Sequence, residues 1–401
     1  MKKFLLILFV ILFFILSFFM IEKKNNEKVK DVIGTETKEK RAVFLSYLEL
    51  EKYLKNKQQE ESKQNIINIL NNLKSSKFNM IILHVRAFSD AIYPSNVYPL
   101  SDTVKVNQKS PEYDILKYII DEAKKRNIEV HAWINPYRIS SSTNLSSLQN
   151  NTKIAELISN NDAKLVEGKG IFYNPASSVT NELIINGIKE IITNYDIDGI
   201  HFDDYFYPDY DIDLKNYQDY INSGGDLSHE DYKYSVILNM IKNVYSTIKS
   251  VNSNIKFGIS PEGNIENNYN KHYLDVKKIL SSEGYVDYIM PQIYFGFLNE
   301  VKPFIETLNE WDNLIKVDSI KLIPALAFYK TGRVDKYAKS GENEWINNSD
   351  IIKRQIEEIR KIKKYDGFSL FRYDYLFDNE KYSSTSLDEY NNLISILDWI
   401  Y

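Results

Sequence analysis

The stretch Asp198-Gly-Ile-His-Phe-Asp-Asp-Tyr-Phe-Tyr-Pro208 runs from a short apolar, β-favouring segment straight into two adjacent carboxylates, Asp203 and Asp204, and then into three aromatics. Seven more β-rich runs share its pattern: AVFLSY from Ala42, FNMIILHVR from Phe78, IEVHAWIN from Ile128, IKFGIS from Ile255, VDYIMPQIY from Val286, IKLIPALAFY from Ile320 and GFSLFRY from Gly367. Between them lie segments such as 113–125, 180–193, 233–249 and 350–364, whose apolar residues recur every three to four positions, the period of an amphipathic helix. Strands that alternate with helices predict a parallel sheet, and eight such units predict an α/β fold of the (β/α)₈ TIM barrel type. The rival, an open doubly wound sheet, lacks its usual nucleotide site here, because no glycine-rich loop follows the first strand.

In a (β/α)₈ barrel the loops after the strands converge over one mouth, so a residue closing a strand is aimed at the site. Asp203 and Asp204 close the fourth strand. An aspartate there often only caps the next helix. Two together, followed by Tyr205, Phe206 and Tyr207, suit a sugar site: acids to protonate a leaving oxygen or stabilise a cationic centre, and aromatic faces for pyranose rings. Side chains alternate along a strand, so His201 shares the face of Asp203, His84 that of Arg86, and His131 that of Trp133. By the same parity Glu262 looks across the mouth toward the aspartates, and Gln292 and Tyr294 face it from the sixth strand. Asn135 and Gln292 are amides suited to hydroxyl recognition, and Arg86 to a carboxylated or amide-rich sugar. Trp133, Tyr137, Tyr205 and Tyr294 read either as sugar platforms or as packing aromatics.

The runs RAVFLSY, FNMIILHVRAFSDAIYPS, EVHAWINPYR, YNPASS, DGIHFDDYFYP, FGISPEG and DYIMPQIY together resemble the glycosyl-hydrolase-like family 10 proteins, bacterial barrels associated with cell-surface glycans. The resemblance starts near Arg41 and implies a glycoside hydrolase with its active site at the aspartate pair. It departs at Glu262, where the family more often carries Phe, so it supplies no second catalytic carboxylate. A weaker similarity links DGIHFDDY to the DGxDxDxE motif of chitinase-type barrels, with His201 replacing the middle aspartate and Tyr205 the glutamate.

Three functional readings follow. The first is a glycoside hydrolase acting on a bacterial cell-surface polysaccharide, peptidoglycan glycan or another N-acetylated chain. Asp203 or Asp204 is its general acid, the other member stabilises the transition state, and Glu262 is nucleophile or general base, with no cofactor. The second is a metal-dependent deacetylase built on His84, His131 and His201. Barrel layers draw on alternate strands, which offsets His131 from the other two and favours a supporting role for all three, with no metal. The third is a barrel that binds wall glycan without chemistry.

Composition narrows the rest. With 401 residues, 43% of them hydrophobic, the chain can bury a large core; its net charge of −5, without basic clusters, excludes nucleic acid as an expected partner. Cysteine is absent, which removes disulfides and thiolate chemistry. Two lysines precede an apolar run from Phe4 to Ile21, long enough to span a bilayer as a helix. Residues 1–22 are therefore expected to be a membrane anchor with the body outside the cytoplasm, or a cleaved signal peptide that leaves the protein secreted. Residues 23–40 read as a charged flexible tether, and 41–401 as the barrel.

Overall fold

The computed structural model describes residues 39–378 and 383–397. The expected membrane segment and most of the tether lie outside them; among the described residues no helix is long and apolar enough to cross a membrane.

Twelve strands occur in chain order: β1 Lys40–Leu45, β2 Met80–Arg86, β3 Glu129–Ile134, β4 Arg138–Ser140, β5 Ala163–Val166, β6 Gly170–Tyr173, β7 Gly199–Phe202, β8 Lys256–Ile259, β9 Tyr288–Ile289, β10 Lys321–Leu322, β11 Ala325–Leu326 and β12 Gly367–Leu370. Nine form one parallel sheet, ordered β10-β9-β8-β7-β3-β2-β1-β12-β11, with helices in the connections. The two ends of that order, β10 and β11, are halves of a single run interrupted at Ile323 and Pro324. Proline has no N–H to give a ladder. Before it the chain pairs with β9, where Ile323 N donates to Ile289 O at 3.0 Å; at and after it the chain pairs with β12, where Ser369 N donates to Pro324 O at 2.9 Å. Backbone hydrogen bonds thus pass from β9 through this run to β12.

Alternation of side chains sorts the sheet into two faces. Val43, Leu45, Ile81, Leu83, Val85, Ile200 and Phe202 pack outward against the helices in the main apolar core. Ala42, Phe44, Met80, Ile82, Trp133, Tyr288 and Met290 pack inward as a second, smaller core. Two glycines make room there. A β-carbon on Gly199 would meet His131 Nδ1 at 2.3 Å, and one on Gly258 would meet the Tyr288 ring at 2.1 Å. The interior accepts these rings only because β7 and β8 carry no side chain at that level.

The long connection after β3 folds into a separate antiparallel sheet, ordered β4-β6-β5, and that after β7 contains the helix Leu214–Asn222. Both rise from the end of the sheet where Asp203 sits.

Candidate active site

A cleft of about 270 Å³ opens at the C-terminal ends of the parallel strands. Asp203, Asp204, Trp133, Asn135, Tyr205, Gln292 and Tyr294 all line it, so seven of the ten residues expected at the site meet there. His84 and Ser260 line it too, and Phe44, Ser46, Phe371 and Arg372 bring in β1 and β12.

Asp203 is buried and receives three donors. Trp133 Nε1 and Asn135 Nδ2 reach its Oδ2 at 3.1 and 3.2 Å, and the Tyr205 amide reaches Oδ1 at 3.4 Å. Burial raises its carboxyl well above the usual range, and the charge of Asp204 raises it further; the Trp133 hydrogen bond opposes both. Asp204, half-buried in the cleft, is also raised, first by burial; His272 opposes this and Glu262 adds to it. Two neighbouring carboxyls in such a setting do not ionise together at neutral pH, so the pair holds a proton ready to give.

The three histidines support this floor. His131 Nδ1 and His201 Nδ1 both meet the Tyr288 hydroxyl, at 2.8 and 3.0 Å, and His201 Nε2 meets Ser260 Oγ at 3.0 Å. His84 stacks on Trp133, centroids 3.7 Å apart and planes 9° from parallel, fixing the indole that bonds Asp203. Burial holds all three rings below the usual histidine range, His201 at about 3, so they stay neutral at working pH. Among the described residues no group of three or more His, Asp or Glu side chains is placed to share a metal ion.

Three expected positions are corrected. Arg86 does not reach the cleft. The β2–β3 register shifts between His84 and Arg86, and a one-residue slip turns the side chain to the other face. Its guanidinium stacks 4.8 Å from the Tyr98 ring and donates to the Asn135 and Pro136 carbonyls at 2.8 and 3.1 Å, holding the segment that presents Asn135. Tyr137 is fully buried behind the wall. Glu262 does not look across the mouth, because β8 adjoins β7 and their ends are neighbours. Its carboxylate takes Asn267 Nδ2 at 2.5 Å and pairs with His272 Nε2 at 3.1 Å, and the His272 hydrogen bond, ahead of the opposing effect of burial, lowers it below the usual range.

Residues not singled out from sequence also shape the site. Arg138 follows the third strand by four positions and rests over Tyr205, 5.3 Å from the ring centroid. Arg372, just past β12, is held by the buried Glu49 at 2.5 Å. The strand-end rule applied to GFSLFRY would have found it.

The model of the Glycosyl hydrolase-like 10 family matches residues 39–346. The chain is 29% identical to Glycosyl hydrolase DigH of Escherichia coli (strain K12) over 339 residues, 78% of this chain and 76% of that protein. It is 30% identical to Glycosyl hydrolase YngK of Bacillus subtilis (strain 168) over 327 residues, 75% of this chain and 62% of that one. Among solved structures, the PgaB (BpsB) glycoside hydrolase domain from Bordetella bronchiseptica aligns with a TM-score of 0.57 at 11% identity, covering 88% of this chain and 98% of that one, a likeness of fold.

Proposed function

The chain belongs to the Glycosyl hydrolase-like 10 family, and from that premise we propose that it is a (β/α)₈ barrel glycosidase that cleaves O-glycosyl bonds in a bacterial cell-surface polysaccharide carrying N-acetyl groups, peptidoglycan glycan being the leading candidate. One observation carries the reading: two adjacent carboxyls on the cleft floor, one of them fixed by Trp133, Asn135 and the Tyr205 amide.

Asp204, the more open member, is the general acid. Its proton goes to the glycosidic oxygen as the bond to the anomeric carbon breaks. Asp203, with donors aimed at both of its oxygens, carries the negative charge of the pair and stabilises the positive charge developing on the sugar. Glu262 is turned toward Asn267 and His272, so the nucleophile comes from the substrate: the carbonyl oxygen of its N-acetyl group closes on the anomeric carbon, and Asp203 accepts a hydrogen bond from the acetamide N–H. Asp204, now ionised, takes a proton from the water that opens this ring, which restores the acid and leaves the anomeric configuration retained. Tyr205 and Tyr294 offer faces for the sugar, and Gln292 a polar group for its hydroxyls.

We further propose that residues 1–22 tether the enzyme to the membrane with its cleft outside the cytoplasm, where such a substrate lies. A mass-spectrometric screen for released glycan, offering peptidoglycan, chitin oligomers and teichoic acid, tests the proposal. New reducing ends from an N-acetylated chain are expected. Release of acetate with the chain intact would replace this reading with deacetylation.

A further inference from the structure

The end of the barrel opposite the cleft, where the chain enters the parallel strands, differs in charge from the molecule as a whole. In a chain of net charge −5, seven connections lead into these strands: 76–79, 125–128, 195–198, 252–255, 281–287, 315–320 and 360–366. Taken with the first residue of each strand, they hold eleven Lys and Arg against seven Asp and Glu, a net of +4. Most of the acids are already engaged. Asp198 takes the Val130 amide at 2.7 Å, and Asp287 takes the Phe257 amide and Lys249, each at 2.7 Å. Glu129 pairs with Lys40, Asp196 with Lys124, and Asp318 with Lys364 at 2.6 Å. Among the described residues, the exposed Lys256, Lys316, Lys321 and Lys363 have no carboxylate within ion-pair distance, against Glu283 and Asp366 on the acidic side.

These cations act on common ground. Burial raises the Asp366 carboxyl, and the charges of Lys40, Lys321 and Lys256, each the first residue or opening turn of a different strand, oppose that rise. Ammonium groups from β1, β10 and β8 therefore gather around one point. Like charges held together repel, and an outside array of anions relieves the repulsion. Val251, which ends the helix leading into β8, adds an apolar side chain 47% exposed.

The path of the chain says which anions lie in reach. Lys40 opens β1 at this end, and eighteen residues, 22–39, separate it from the apolar run Phe4 to Ile21. A coil of that length spans roughly 20–25 Å, so this is the end of the barrel kept close to a bilayer that the run enters. Anionic phospholipid attracts lysines held within a Debye length of its surface. We propose that this face docks on the anionic headgroups of a phospholipid bilayer, with Lys256, Lys316, Lys321 and Lys363 meeting the phosphates, and that the cleft at the other end of the strands is thereby turned away from the lipid. The inference rests on the tether reading of residues 1–22 and adds an orientation to it.

Because the chain has no cysteine, single introduced cysteines report on each end. Full-length Ser253→Cys, on the connection into β8, and Tyr337→Cys, on the connection after β11, are labelled with a fluorophore. Each is reconstituted in phosphatidylcholine vesicles with or without phosphatidylglycerol, both carrying a headgroup-borne quencher. The label at 253 is expected to be quenched about threefold more strongly when phosphatidylglycerol is present, and the label at 337 equally in both. The excess should vanish in about 0.5 M salt and in the triple variant Lys256→Gln, Lys321→Gln, Lys363→Gln, and arginine at the same three positions should restore it. Unchanged thermal unfolding of the triple variant shows that its loss is local. Equal quenching at 253 in the two vesicle types, or an excess that survives the three substitutions, overturns the inference; if soluble teichoic acid then changes that signal, the face serves a wall polymer instead. Retention in the vesicles after a salt wash is scored separately. A chain that stays without a phosphatidylglycerol effect sinks the docking face alone, and one that washes off yet shows the effect with added vesicles sinks the tether alone.

Discussion

Asp203 and Glu262 occupy comparable places in sequence, each just past the end of an inward-facing strand, and their surroundings push them in opposite directions. Asp203 is buried at the base of the cleft, where burial and Asp204 raise it; Glu262 lies on the flank, where His272 and Asn267 lower it. Position at a strand end brings a carboxyl near the mouth. Desolvation and partners then decide whether it trades protons or only braces a loop.

The largest effect that would break this contrast is at Asp203. Asp203→Asn keeps the volume and the acceptor for Trp133 but removes the charge, and it should lower kcat by about 10³-fold with KM little changed. The same substitution should stabilise the fold at alkaline pH. Because burial and the neighbouring charge raise the pair above the 3.8 of a free aspartate, the native state keeps on the pair a proton that the unfolded chain has lost, so stability falls as pH rises through the raised range. With asparagine at 203 only Asp204 is left to titrate, and the decline is shallower. The variant's advantage in Tm over the wild type should be near zero at pH 4 and grow to about a few degrees by pH 8, read by thermal unfolding at both. A gap that narrows with rising pH would mean that the pair holds no shared proton.

A smaller effect sharpens the other side. Glu262 helps to raise Asp204, so Glu262→Gln should move the alkaline limb of the pH–rate profile to lower pH, by less than about one unit. A shift to higher pH would show that the loss of its pairing with His272 outweighs the lost charge.

The smallest effect concerns the residues behind the wall. The Tyr137 hydroxyl is buried without a partner, so Tyr137→Phe should leave kcat/KM within about twofold and Tm unchanged or slightly higher. A marked rise in KM would return Tyr137 to the cleft.

What the sequence carried was the strand rhythm and the strand-end rule, because both rest on local periodicity. Asp203, Gln292 and Tyr294 fell where parity put them and Asp204 where the strand-end rule did, and the glycines at 199 and 258 kept rings in the interior that the pattern alone did not foretell. Parity failed at Arg86, where an irregularity in β2 flipped the side chain, a feature that no composition marks in advance. It failed differently at Glu262: the residue lies beyond β8, and its orientation is set by a hydrogen bond to His272, ten positions on, which strand geometry does not govern. Arg138 escaped because it begins β4, outside the parallel sheet.

The central claim is that the aspartate pair, and not Glu262, performs the proton transfer. It is tested most directly by single-turnover cleavage of one defined N-acetylated oligomer by Asp204→Asn and Glu262→Gln, side by side, with products followed by mass spectrometry. The account predicts a loss of about 10²–10⁴-fold for Asp204→Asn and less than about tenfold for Glu262→Gln. A Glu262→Gln enzyme as impaired as Asp204→Asn, or an Asp204→Asn enzyme that cleaves at the wild-type rate, would contradict it.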